Sequence, residues 1–276
     1  MLEKAKNVFL NICPEPLLMP AANIVRRGRE ICYRIDSFLH PQKTAFSCPC
    51  CGLRFRGFIE GDYRRRQKRF NPSRYESARQ DVLCPHCKSL PRHRILALWC
   101  EKHIDMLRGA DILYFAPSRC ESLWMEKYGM SFKSADLHRA ADYKLNIQDT
   151  HLPGGSYDII ICNHVLEHVD DFRKALKEMY RVLRPSGSFI CSFPMDPSVE
   201  LVDEDPTVKT EEERLRRFGQ NDHLRVFGMH PEQFLTDAGF VVERIIGEDC
   251  PEEILPVIGP ADYDMNILFW CRKESK

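Results

Sequence analysis

The sequence predicts an α/β protein, a mainly parallel sheet covered by helices with a small cysteine-bearing module ahead of it. Three observations lead there. Ile159-Ile160-Ile161-Cys162 is a short, continuous apolar run rich in β-branched residues, the pattern of a strand buried on both faces. Phe172, Ala175, Leu176, Met179, Tyr180 and Leu183 then recur at helical spacing, Pro185 and Gly187 stop that helix, and residues 188–193 read as the next strand, which completes a βαβ unit. Upstream stand two C-x-x-C pairs, Cys48/Cys51 and Cys84/Cys87.

Composition narrows the function classes. A chain of 276 residues can bury a full core and carry one domain of ordinary size plus a small module. Lys plus Arg and Asp plus Glu both number 40, so no global charge draws the chain to nucleic acid or an anionic membrane. No apolar run approaches the roughly 20 residues that cross a bilayer. The first residues lack the basic flank, apolar segment and small-residue cleavage site of a signal peptide. Thirteen cysteines, an odd number, mostly scattered in apolar surroundings, fit a reducing compartment with a metal site better than a disulfide framework. The expectation is a cytoplasmic protein with no membrane span.

Three units are expected in order. Residues 1–47 read as helix and irregular chain; Ile24, Val25, Ile31, Cys32, Ile35, Phe38 and Leu39 form an apolar stripe that predicts an accessory helix packed on the body. Residues 48–91 form a zinc-knuckle module, resembling a zinc ribbon. Each C-x-x-C puts two thiolates on one tight turn, and two such turns facing each other make the tetrahedral sulfur cage that Zn²⁺ prefers. The predicted ligands are Cys48, Cys51, Cys84 and Cys87. Cys50 is the spare thiol, Gly52 suits a turn of positive φ, and His86 or His93 are substitutes the cage does not need. A four-cysteine site is closed, so its zinc is structural. Between the knuckles, Tyr63-Arg64-Arg65-Arg66-Gln67-Lys68-Arg69-Phe70 reads as a solvated face first and a nucleic-acid grip second. Residues 92–276 hold the main domain. A helix is expected over 89–107, with Pro91 in its first turn, then strand 112–115, helix 120–128, strand 131–134, the βαβ block, helix 231–238, and strands 240–246 and 265–271.

Candidate chemistry sits at the ends of these strands, where parallel sheets bind ligands. Asn163, His164, Glu167 and His168 follow the first strand of the βαβ block. Asp136 ends an earlier strand, twenty residues after Ala116, and an acidic side chain there can accept bonds from both hydroxyls of a ribose. A second set is Asp222-His223-Leu224-Arg225, framed by Phe218, Gly219, Phe227 and Gly228, which packs a carboxylate, a base and an anion partner into four residues.

The run from Tyr157 to Ile190, YDIIICNHVLEHVDD…ALKEMYRVLRPSGSFI, resembles the fourth strand, helix and fifth strand of class I S-adenosylmethionine-dependent methyltransferases. The resemblance is specific in that block and extends more weakly from about residue 92 to the C-terminus. It implies a Rossmann-like sheet closed by a final strand pair, and S-adenosylmethionine as cofactor. It also implies that Ala116, Ser118 and Cys120 stand where the family places glycines, and Tyr114 where it often places an acid. These are small enough for close backbone approach at negative φ. A similar Phe115-Ala116-Pro117 turn occurs in a subset that also carries cysteine knuckles followed by Arg92-His93-Arg94. Asn146 takes the position of the family's adenine-contacting Asp, with Asp149 as the alternative, and Asn163 joins the cofactor set. Methyl transfer needs an aligned nucleophile and, for an O or N acceptor, a base near neutral pKa. His223 is the first candidate base, His164 the second, Asp222 the carboxylate partner, and Arg225 an anchor for an acidic or phosphorylated acceptor. The function expected is methyl transfer to a small molecule or glycan. Two alternatives stay open: an RNA or protein methyltransferase gripping substrate through the zinc module, and a non-catalytic binding protein on the same fold.

Overall fold

The computed structural model describes residues 45–59, 82–247 and 267–275, together with Ile254 and several positions between 28 and 40. The basic run 63–70, Ile24, Val25 and Met265 lie outside the described residues. Elements in chain order are β1 (Phe46–Cys48), β2 (Leu53–Phe55), α1 (Pro91–Lys102), α2 (Ile104–Leu107), β3 (Ile112–Phe115), α3 (Arg119–Lys127), β4 (Lys133–Ala135) and β5 (Tyr157–Asn163). A 3₁₀ turn (Leu166–His168) follows, then α4 (Phe172–Val182), β6 (Leu183–Ser192), β7 (Val202–Glu204), α5 (Glu211–Arg217), β8 (Arg225–Phe227), α6 (Glu232–Asp237), β9 (Val241–Ile246) and β10 (Ile267–Arg272).

The main sheet has six strands in the order β4-β3-β5-β6-β10-β9. β4, β3, β5 and β6 run parallel, and β10 lies antiparallel to both β6 and β9. This is the Rossmann-like sheet with a closing strand pair that the βαβ pattern and the resemblance implied. Chain progression reverses between β3 and β5, which opens the crevice such sheets use for ligands. Strand periodicity divides the core into two layers. Leu113, Phe115, Ile160, Cys162, Phe189 and Phe269 face α4 and α6. Ile112, Tyr114, Ile159, Ile161, Ile190 and Leu268 share the opposite layer with α1, α3 and the knuckle residues Cys48, Cys50, Phe55, Phe58 and Cys84.

Three expectations need correcting. The helical stretch near residue 35 does not pack its apolar stripe on the body: Ile31, Ile35, Phe38 and Leu39 are exposed. α1 and α3 already close that side of the sheet, and the stretch is held instead by Asp36, which accepts two bonds from Arg56 at 2.9 Å. The helix expected over 89–107 breaks at His103, whose Nδ1 lies 2.8 Å from the Trp99 carbonyl and competes with the helical ladder. An antiparallel β7–β8 ribbon, with α5 between its strands, was not foreseen. No helix among the described residues is long and apolar enough to cross a membrane.

Candidate functional site

β3 ends in a left-handed turn. Ala116 takes φ +49°, the conformation a glycine would adopt freely, and its N–H donates to the Ala135 carbonyl at 2.8 Å. The negative φ expected for this small residue is therefore wrong, and an L-residue held there costs on the order of 1 kcal/mol. The turn is braced from beneath. Glu121, buried in the first turn of α3, accepts the Ser118 N–H at 2.8 Å and the Asn163 side-chain amide at 2.6 Å, and Asn163 in turn accepts the Ser192 hydroxyl. Burial would raise the Glu121 carboxyl, but the facing His93 and these donors hold it below the ordinary range. Ser118 and Asn163 thus tie the ends of β3, β5 and β6 together, and Asn163 does not turn its amide out to a ligand.

Beside this turn opens a hollow of about 440 Å³, walled by Ala116, Pro117, Asp136 and Arg139, with Ser122 and Glu126 of α3 on its flank. That volume suits a nucleoside-sized ligand. Asp136 stands at the end of β4 as expected. Its Oδ1 accepts the His138 and Arg139 backbone N–H groups, both at 2.7 Å, and its Oδ2 accepts Arg139 Nε at 3.0 Å. Burial works against the charge; these bonds outweigh it and keep the carboxyl ionised below its ordinary value. One oxygen retains acceptor capacity toward the hollow. Asn146 does not line it: its Oδ1 accepts Gln148 N at 3.0 Å and Gln148 Nε2 at 3.3 Å within its own turn. Asp149 is half exposed and pairs with His151 at 3.2 Å.

After β5 the chain turns sharply, with His164 at φ +56°. The 3₁₀ turn then buries Glu167 at 1% exposure, and three imidazoles surround it. His164 Nδ1 lies 3.4 Å from Glu167 Oε1 and His168 Nε2 3.9 Å from the same oxygen. The His168 and His223 rings meet edge to face at 4.8 Å. Burial alone would raise the Glu167 carboxyl, but the bond from His164 and the field of the three histidines bring it down to about 2. Glu167 was named in the sequence only as one polar group among several; it is the centre of the cluster.

His223 and Asp222 reach this place through the β7–β8 ribbon. His223 is buried, with Nδ1 3.3 Å from the Phe218 carbonyl, and burial pushes its imidazole down to about 4, too low for a good proton acceptor at neutral pH. Asp222 pairs with His168, its Oδ2 3.5 Å from Nδ1. Arg225 cannot anchor an acidic acceptor. It is 3% exposed and donates to the Leu166, Val169 and Asp170 carbonyls and to Glu204, so its guanidinium clamps the 3₁₀ turn to β8.

The four predicted metal ligands also converge. One ligand atom from each of Cys48, Cys51, Cys84 and Cys87 lies within 4.8 Å of the others; Cys48 Sγ is 3.6 Å from Cys87 Sγ and Cys51 Sγ 3.9 Å from Cys84 Sγ. A tetrahedral Zn²⁺ with bonds of about 2.3 Å separates its sulfurs by about 3.8 Å, so the cage fits. Hydrogen bonds from the neighbouring thiols drive Cys48 below the ordinary thiol range. Cys50 is turned away, toward the His93 carbonyl at 3.5 Å. Arg94, buried in α1, fastens the module to the body: it donates to the Val82, Ser89 and Ile254 carbonyls and stacks over Phe58 at 4.1 Å. The Arg92-His93-Arg94 run stands out in the sequence, but its spacing does not show which of its arginines is buried.

Residues 124–191 match the methyltransferase domain family. That span includes β4, β5, the Glu167 turn, α4 and most of β6, so it holds one of the two strands that flank the crevice. The matched stretch is about a quarter of the chain, and it is similar to a methyltransferase domain. Similarity to curated methyltransferases is local. One is the demethylmenaquinone methyltransferase of Listeria welshimeri, 34% identical over 67 residues, 24% of this chain and 28% of the relative. Another is the ubiquinone/menaquinone biosynthesis C-methyltransferase UbiE of Rickettsia bellii, 39% identical over 62 residues, 21% and 25% of the two chains. The chain thus spans about a quarter of the length of the curated relatives it matches. Among solved structures it is similar to the 1,6-didemethyltoxoflavin-N1-methyltransferase of Burkholderia thailandensis, at 16% identity and a TM-score of 0.47, covering 67% of this chain and 79% of that one. It is also similar to an S-adenosylmethionine-dependent methyltransferase of Mesorhizobium loti, at 17% identity and a TM-score of 0.45, covering 65% and 98%.

Proposed function

We propose that this protein is an S-adenosylmethionine-dependent methyltransferase acting on a small-molecule O or N acceptor, with a structural Zn²⁺ in the four-cysteine cage. The observation that carries the reading is a juxtaposition. An open hollow walled by Ala116 and Asp136 lies at the ends of β3 and β4, and a carboxylate–histidine cluster follows β5 across the reversal of the sheet. Asp136 would hold the ribose through its remaining acceptor capacity, with the Ala116–Pro117 backbone against the cofactor. The bound sulfonium supplies an electrophilic methyl group. His164 is the base: Glu167 faces its Nδ1 and polarises the imidazole toward an incoming hydroxyl or amine. His223, kept neutral by burial, and His168, held by Asp222, shape that cluster without serving as its base.

Relatives named for demethylmenaquinone and for ubiquinone/menaquinone biosynthesis support a small-molecule acceptor over a glycan or RNA. Calorimetry with S-adenosylmethionine tests the cofactor half. Binding to the wild type, weakened at least tenfold in Asp136→Ala, is expected. No heat and no thermal shift would make the fold a non-catalytic scaffold. Transfer of labelled methyl to a panel of quinols, amines, sugars and RNA tests the acceptor half; label on RNA alone would overturn the small-molecule assignment.

A further inference from the structure

We propose that Glu167, His168 and His223 form a second metal site, for a first-row divalent ion, separate from the cysteine cage. One ligand atom from each residue lies within 4.8 Å of the other two. The surrounding bonds prepare all three as ligands. His168 Nδ1 points at Asp222, 3.3 Å from its carbonyl and 3.5 Å from its carboxylate. His223 Nδ1 points at the Phe218 carbonyl at 3.3 Å. Each imidazole thus gives its Nδ1–H to an outer oxygen, which leaves the Nε2 lone pair as a donor; this is how outer-shell partners orient ligating histidines. Glu167 is 1% exposed, and its Oε2 has no hydrogen-bond partner among the described residues. A buried carboxylate with one oxygen unpaired, grouped with two imidazole lone pairs, sets acceptor against acceptor. Such an arrangement is costly unless a cation sits among them.

Two imidazoles and a carboxylate suit Zn²⁺, Fe²⁺, Co²⁺ or Mn²⁺, and three protein ligands leave coordination positions open. An ion there would take an oxygen of the acceptor, a hydroxyl or phenol group, beside His164. This last step rests on the methyltransferase reading; the metal site does not.

Cobalt separates the two sites by spectrum. The cysteine cage gives an intense sulfur-to-cobalt charge-transfer band, and a nitrogen–oxygen site gives only weak ligand-field bands. The metal-free full chain is titrated with Co²⁺, its metal content is counted, and the titration is repeated with Zn²⁺. The wild type should bind two ions. Cys84→Ser should keep the ion that lacks the charge-transfer band, and Glu167→Gln should lose it. Because Glu167 is buried, His168→Ala, at a partly exposed position, is run beside it with circular dichroism to confirm folding. Loss of that ion in His168→Ala supports the site even where Glu167→Gln fails to fold. Only thiolate-bound cobalt in the wild type, or a second ion that persists in folded His168→Ala, overturns the proposal. S-adenosylmethionine calorimetry on the same preparations shows separately whether the methyltransferase reading stands.

Discussion

Replacing Arg225 by Met tests the clamp beneath the candidate site. The substitution keeps an apolar stem of similar length and removes every donor. The Leu166 and Val169 carbonyls lose their guanidinium, and both residues are buried, so water does not replace it. The orphaned Val169 carbonyl costs about 1–3 kcal/mol, while the Leu166 carbonyl keeps the Val169 N–H at 3.4 Å and loses less. Asp170 is exposed, so its carbonyl rehydrates at little cost. Glu204 is 31% exposed, and its lost ion pair adds less than about 1 kcal/mol. Against this stands the desolvation that already depresses the Arg225 guanidinium, which the variant recovers. The net is a loss of about 2 kcal/mol, read by urea unfolding at pH 7, and a melting temperature lower by about 4–8 °C. Hydrogen exchange should quicken at the Leu224 amide, which donates to the Glu167 carbonyl across the same joint. Arg225→Lys should stay folded with the KM for the acceptor unchanged. A stability loss below about 1 kcal/mol in Arg225→Met, or a raised KM with intact stability in Arg225→Lys, would refute the structural role and restore the acceptor-binding one.

Other consequences can be measured directly. The bond from Arg181 outweighs burial at Glu178 and brings its carboxyl from 4.5 down to about 2, so its stabilisation is full above pH 4.5 and fades as pH falls toward 2. Arg181 is 45% exposed, so screening reduces the effect to roughly 1–2 kcal/mol; Glu178→Gln should be weaker than wild type at pH 7 and equal to it near pH 2 in denaturant titrations. Cys84→Ser should lose the cage ion by metal analysis and melt lower, because knuckle and sheet share one core layer. Ala116→Gly relieves about 1–2 kcal/mol of left-handed strain and costs about 0.4–1 kcal/mol through a freer unfolded chain, so a small gain in melting temperature is expected.

Much of the sheet was legible because β3, β5 and β10 are nearly continuous apolar runs and α4 is strongly periodic. β3 falls on residues 112–115 as read, and α4 fills the stripe from Phe172 to Met179. The cysteine spacing was legible for a similar reason: two tight turns leave few ways to place four thiols. Assembly of the histidine cluster was not. His164, Glu167 and His168 are neighbours in the chain, but His223 joins them only through strands of three residues each, too short to show a period. The density of polar groups around residue 223 marked the segment that meets the Glu167 turn, but not which of its side chains are buried. Whether a side chain such as Arg225 faces a ligand or its own backbone depends on burial, which charge and spacing do not encode. The same holds for Asn163, whose place at a strand end suggested a ligand contact and whose amide is used to brace the turn.

The cysteine module is no detachable cassette. Phe55, Phe58 and Cys84 sit in the layer that also holds Tyr114, Ile161 and Leu268, and Arg94 rivets the two parts through backbone carbonyls on either side. A version trimmed at residue 91 would lay open an oily flank beside α1 and α3, and should clump on expression.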